Sequence, residues 1–78
     1  MEIKWNQISS DNSLFRAEDD NYVLYLQKYG LESYLYELHN KGNSGELYAI
    51  KRDLVENLET AKHLCEQLYL EYKNGTKI

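Results

Sequence analysis

Two histidines and one cysteine are the residues of this 78-residue chain best suited to metal or nucleophilic chemistry. His39 and His63 have no second ligand at metal spacing, because HExxH and Cys/His clusters are missing. Both are expected to be solvated, with His63 one helical turn from Glu59 and able to pair with it. A reactive thiolate needs an exposed, electropositive setting. Cys65 falls instead on an apolar stripe, where it reads as a small buried hydrophobe. The tightest acidic cluster is Glu18-Asp19-Asp20, flanked by Asn21 and by Asp11-Asn12. A calcium loop alternates oxygen ligands and ends on a distal bidentate Glu, and this spacing does not match it. Phosphate loops of the GxxxxGK[ST] or GxGxxG type and the GxSxG nucleophile elbow are missing as well. The residues therefore assign no catalytic group, no metal ligand and no cofactor, and a non-enzyme is expected.

Composition narrows the classes further. Thirteen acidic residues against nine basic ones give a net charge of −4, which argues against nucleic acid, a ligand usually met by a basic surface. It suits a basic protein partner. A chain of this length buries only about 60% of its unfolded surface, so its core is thin. One cysteine allows no intrachain disulfide, and secreted domains of this size usually carry several. Met1 to Asn6 lacks the apolar run of a signal peptide, and no stretch approaches a membrane span. A cytoplasmic chain without a membrane partner is expected. Eight tyrosines suit half-buried positions and contact surfaces, since each joins an apolar ring to a hydroxyl that tolerates water.

The elements that must position these residues are short. Turn clusters at Ser9–Ser13, Asp19–Asn21, Tyr29-Gly30, Asn40–Gly45 and Asn74-Gly75 punctuate the chain. Between them lie Ile3–Ile8, Leu14–Glu18, Tyr22–Lys28, Ser33–His39 and Glu46–Ile50, rich in β-branched and aromatic residues. Their length and spacing predict antiparallel strands in a meander within residues 3–50. From Asp53 the period changes: Leu54, Leu58, Ala61, Cys65, Leu68 and Tyr72 recur at three- and four-residue steps, one face of a helix widened by Leu64 and Tyr69. Glu59, Lys62 and Glu66 fall on the opposite face. Asp53, with Glu56 completing an acidic capping box, and Asn57 compete as N-cap, so the helix starts at about 54 or 57 and ends at 73, before Gly75. The expected fold is a single α+β domain over 1–78, an antiparallel β-meander of four to five strands packed on one C-terminal α-helix.

One helix covers one face of a sheet. Side chains alternate along strands, and the more apolar sets, Tyr22/Leu24/Leu26 and Tyr34/Tyr36/Leu38, are expected beneath the helix, joined by Leu47 or Tyr48 and by Ile50. The opposite face then carries Val23, Tyr25, Leu35, Glu37 and His39, a mixed surface available for contact with a partner.

Trp5-Asn6-Gln7-Ile8, the strands Tyr22-Val23-Leu24-Tyr25-Leu26 and Tyr34-Leu35-Tyr36-Glu37-Leu38, and the helix opening Asn57-Leu58-Glu59-Thr60-Ala61-Lys62 together carry a resemblance. The chain resembles the small ββββα proteins of phages and prophages over about residues 3 to 72, although it lacks a glycine before Tyr22 and is more acidic and richer in tyrosine. Some small acidic phage proteins are anti-defence factors, including anti-CRISPR inhibitors that occupy the nucleic-acid channel of a nuclease. The resemblance implies a non-catalytic inhibitor or adaptor in the host-cell cytoplasm, acting on a protein such as a basic defence nuclease.

The residues expected to make that contact are Glu18, Asp19 and Asp20, with Asp11 near them, as stand-ins for phosphates, and Val23, Tyr25, Leu35 and Glu37 on the uncovered sheet face. A second reading is a homodimer, or a larger structural assembly, that pairs this face with itself. A third is a nucleic-acid binder that stacks bases on Tyr25 or Tyr36. A fourth is a small-nucleotide binder at an oligomer interface. The scarcity of basic residues weighs against the last two.

Overall fold

The computed structural model describes residues 3–11 and 13–75; Asn12, which flanks the acidic cluster in sequence, lies outside them. Five strands run in chain order: β1 (Asn6–Gln7), β2 (Leu14–Glu18), β3 (Tyr22–Tyr29), β4 (Ser33–Lys41) and β5 (Leu47–Val55), followed by helix α1 (Leu58–Lys73). The strands form one antiparallel sheet in the order β1-β2-β3-β4-β5. The fold is thus the α+β meander with one C-terminal helix.

The core lies between α1 and the inner sheet face. Ala17, Leu24, Leu26, Tyr36 and Leu38 meet Ala61, Cys65 and Tyr69 there, with Phe15, Tyr22, Tyr34 and Ile50 packed at the margins. Tyr22, Leu24 and Leu26, and Tyr34, Tyr36 and Leu38, thus share the helix side, as their alternation requires. The helix stripe is rotated from expectation. Its fully buried line is Ala61–Cys65–Tyr69, a strict four-residue repeat, whereas Leu58, Leu68 and Tyr72 are half-buried and Leu64 is exposed.

Two strand boundaries differ by more than two residues from those the sequence predicts. The last strand does not stop at Ile50. Lys51–Val55 continues it, with Val55 opposite Tyr34, Leu54 opposite Leu35 and Asp53 opposite Tyr36. Leu54 therefore belongs to β5 and not to the helix, because pairing with nine-residue β4 outweighs the local helical period. At a register shift between Leu38 and His39, Leu38 pairs with Lys51 and His39 with Ala49, which leaves Ile50 as an extra residue packed against the core. Of the two candidate caps, Asn57 is used: its Oδ1 accepts the Thr60 amide at 2.8 Å. Gly75, at φ +70°, ends the helix as expected. At the other end, only Asn6–Gln7 of Ile3–Ile8 pairs as a strand. Ile3 and Trp5 instead pack against the core, and Trp5 Nε1 donates to Glu66 Oε2 at 2.6 Å. This bond ties the N-terminal segment to a helix residue expected to face water.

Candidate functional site

The outer sheet face is built by alternation. Arg16 and Glu18 of β2, Val23 and Tyr25 of β3, Leu35, Glu37, His39 and Lys41 of β4, and Arg52 and Leu54 of β5 occupy it. Their charges are paired both along and across strands. Glu18 binds Arg16, and its other oxygen takes Lys41 Nζ at 2.7 Å. The hydrogen bond from Lys41 is the main cause of a lowered Glu18 pKa. Arg16 Nε donates to Tyr25 Oη at 3.3 Å, and its guanidinium lies 5.7 Å from the Tyr25 ring centroid. Tyr25 meets the His39 ring edge-on at 5.6 Å. His39 Nε2 lies 2.7 Å from Glu37 Oε1, and Glu37 Oε2 lies 3.6 Å from Arg52 Nε. His39 Nδ1 is buried without a partner among the described residues.

This layer changes the role of two expected contact residues. Val23 is 0% and Leu35 8% exposed although neither faces the helix. Val23 lies opposite Glu18 and His39 in the register, and long partnered side chains on the same face close over it. Both residues form a second, shallow apolar layer and offer a partner almost no surface. Tyr25 and Glu37 are half-buried within the network. Tyr36 is 5% exposed beneath the helix, so its ring is closed to a base. Tyr25 has Arg16 and His39 on its ring.

The acidic turns are also separated and put to use. Asp11 lies in the turn before β2 and Asp19-Asp20 in the turn after it, at opposite ends of that strand. Asp11 is exposed and bonded by Ser13 Oγ. Asp19 Oδ1 accepts the amides of Asn21 and Tyr22, both at 2.8 Å, which closes the β2–β3 turn. Its Oδ2 accepts Tyr69 Oη at 2.6 Å and Lys73 Nζ at 3.1 Å, which anchors the end of α1 to that turn. Burial by itself raises the Asp19 carboxyl; the hydrogen bonds from Tyr69, the two amides and Lys73 outweigh it and hold the pKa at about 2. Asp20 is exposed.

The basic partners Arg16, Lys41 and Arg52 were missed in the sequence, although Arg16 shares the parity of Glu18 and so its face. A further feature was missed at the β3–β4 turn. Gly30, at φ +84°, permits the tight reversal, and Leu31 at its tip is 92% exposed, with Tyr29 beside it at 59%. Tyr29 lies opposite Ser33, two residues from Leu35, whose neighbour across β4–β5 is the exposed Leu54. These apolar residues occupy the β3–β4 turn end of the sheet, beside the Glu37–Arg52 pair, whereas the Glu18 pairs lie toward the other end. Between α1 and β5 an open groove of about 270 Å³ has Tyr36, Lys51, His63 and Leu64 among its lining residues.

Cys65 is 0% exposed. Burial, reinforced by the nearby Glu66 charge, pushes its thiol up to about 12. Its labelling by an alkylating reagent at neutral pH is expected to be at least about a hundredfold slower in the folded chain than in urea. Equal rates in the two conditions would contradict this burial. Among the described residues no group of three His, Cys, Asp or Glu side chains could hold a metal ion. No helix there is long and apolar enough to cross a membrane.

The fold defines a class, a five-stranded antiparallel meander backed by one helix, with a self-neutralised outer face and an apolar hairpin tip. Comparison with protein-family models, with curated proteins and with solved structures finds no match.

Proposed function

We propose that this chain is a non-catalytic protein-binding module whose partner is a component of a host defence system, as in the phage inhibitors it resembles. The observation that supports contact with a protein is the β3–β4 hairpin tip, where Leu31 is 92% and Tyr29 59% exposed. A single exposed leucine is ordinary on a protein surface. Here a leucine and a tyrosine are presented together at the end of a long paired ladder, a form suited to filling a partner's pocket. Aromatic and apolar anchors seated in pockets supply most of the energy of such interfaces. The net charge of −4 favours a basic partner and steers the encounter. Because Glu18 and Asp19 are neutralised within the chain, Asp20 is the carboxylate of that turn best placed to meet the partner's cations.

The test is capture of a partner from a host lysate on immobilised protein, followed by affinity measurement with the Leu31→Asp variant. Loss of one anchor of about 2 kcal/mol weakens binding about thirtyfold. An unchanged affinity would remove the hairpin tip from the interface. A captured partner with no part in defence would leave a binding module and refute the anti-defence role.

A further inference from the structure

β5 is the long edge of the sheet, and its far side meets no strand among the described residues. The direction of its backbone groups follows from the ladder. Lys41 N donates to Asn21 O at 2.8 Å, so the odd residues of β4 bond toward β3. Gly42 N donates to Glu46 O at 2.7 Å, so the even residues bond toward β5. Lys51, Asp53 and Val55, which face Leu38, Tyr36 and Tyr34, therefore bond inward. Arg52 and Leu54 direct their N–H and C=O groups outward. Accordingly, the Leu54 amide turns to a local acceptor, Asp53 Oδ1 at 2.9 Å. An edge of this kind is a template for another strand.

The side chains select which strand. Leu54 is 49% exposed, and the Arg52 side chain is 64% exposed. In a two-fold antiparallel pairing of β5 with its own copy, a register centred on Arg52 sets guanidinium against guanidinium. One centred on Asp53 sets carboxylate against carboxylate. Like charges directly opposite are destabilising. With the alternation of β5 carried one residue past Val55, the register centred on Leu54 places Leu54 against Leu54 on the axis and Arg52 against Glu56 of the second copy, twice, on the outer face. Glu56 is exposed one residue beyond β5. Pairing would exchange the local Asp53 cap on the Leu54 amide for a cross-strand bond.

We propose that a second copy of this chain docks on β5, with Leu54 on the two-fold axis and two Arg52–Glu56 pairs flanking it. The two sheets then run on as one, with both helices on the same side. The inference is independent of the partner reading, which rests on Leu31.

Sedimentation equilibrium over a wide concentration range tests it. The mass is expected to rise from 9.3 kDa toward twice that value. Arg52→Glu and Glu56→Arg should each weaken association about tenfold or more, because each turns two attractions into repulsions. Glu56 makes no core contact, so Glu56→Arg probes the interface even if Arg52→Glu perturbs the fold. The double variant R52E/E56R should recover wild-type association. Amide exchange at Arg52 and Leu54 should slow with concentration, while Lys51 and Asp53 stay unchanged. A monomer at every concentration, or a double variant no better than the single ones, would overturn the proposal.

Discussion

Tyr69→Ala is expected to destabilise the fold by about 3–5 kcal/mol, the usual range for removing a large aromatic side chain from a core. Tyr69 is 1% exposed. Its ring meets Tyr22 edge-on at 5.8 Å, and its hydroxyl donates to Asp19 at 2.6 Å. Lys73 Nζ donates to the same hydroxyl at 3.2 Å. One residue thus supplies core volume, an aromatic pair and the link between helix and turn. A domain of this length holds a total of about 4–12 kcal/mol, so the variant should lie close to unfolded. Tyr69→Phe keeps the ring and removes only the hydroxyl, with its bond to Asp19 and the one it accepts from Lys73, a loss of about 1–2 kcal/mol. Urea unfolding followed by Trp5 fluorescence measures both. A Tyr69→Ala midpoint equal to wild type would contradict the placement of Tyr69 in the core.

The Asp19 carboxylate makes stability depend on acid pH. Its pKa falls from 3.8 to about 2 on folding, which corresponds to about 2 kcal/mol of stabilisation by the charged form. The folded value is the lower one, so this contribution is complete above pH 4 and is lost as pH falls from about 4 through 2. Asn at this position keeps an oxygen for the Asn21 and Tyr22 amides and loses the charge that holds Tyr69 and Lys73. Asp19→Asn is therefore expected to flatten the decline of the urea midpoint between pH 5 and 2 while costing about 2 kcal/mol at neutral pH. A residual slope should remain from Glu18 and Asp11, whose pKa values are also lowered. A variant with the full wild-type slope would show that Asp19 is not the group responsible.

The bonds of Asp19 to Tyr69 and Lys73 place a residue expected to meet a partner inside the architecture. The sequence presents Glu18-Asp19-Asp20 as a run of negative charge. Nothing local indicates that the end of α1 returns to the same turn, with Lys73 and Tyr69 aimed at one of its carboxylates. The same limit applies to Val23 and Leu35. Alternation correctly puts them on the face away from the helix, but their burial follows from cross-strand neighbours, Glu18 and His39 on either side of Val23 and Gln27 and Leu54 on either side of Leu35.

Period and punctuation were sufficient for much of the rest. Strand alternation separated Leu24, Leu26, Tyr36 and Leu38 from the outer set, because a pleated chain has only two faces. The four-residue recurrence of Ala61, Cys65 and Tyr69 and the capping chemistry of Asn57 are local, so the sequence by itself determined a meander closed by a helix. Tertiary structure decided where β5 ends, since Lys51–Val55 gains a ladder only when β4 is beside it. It also decided which charges are neutralised and which edge is left open, because those outcomes depend on neighbours distant in the chain.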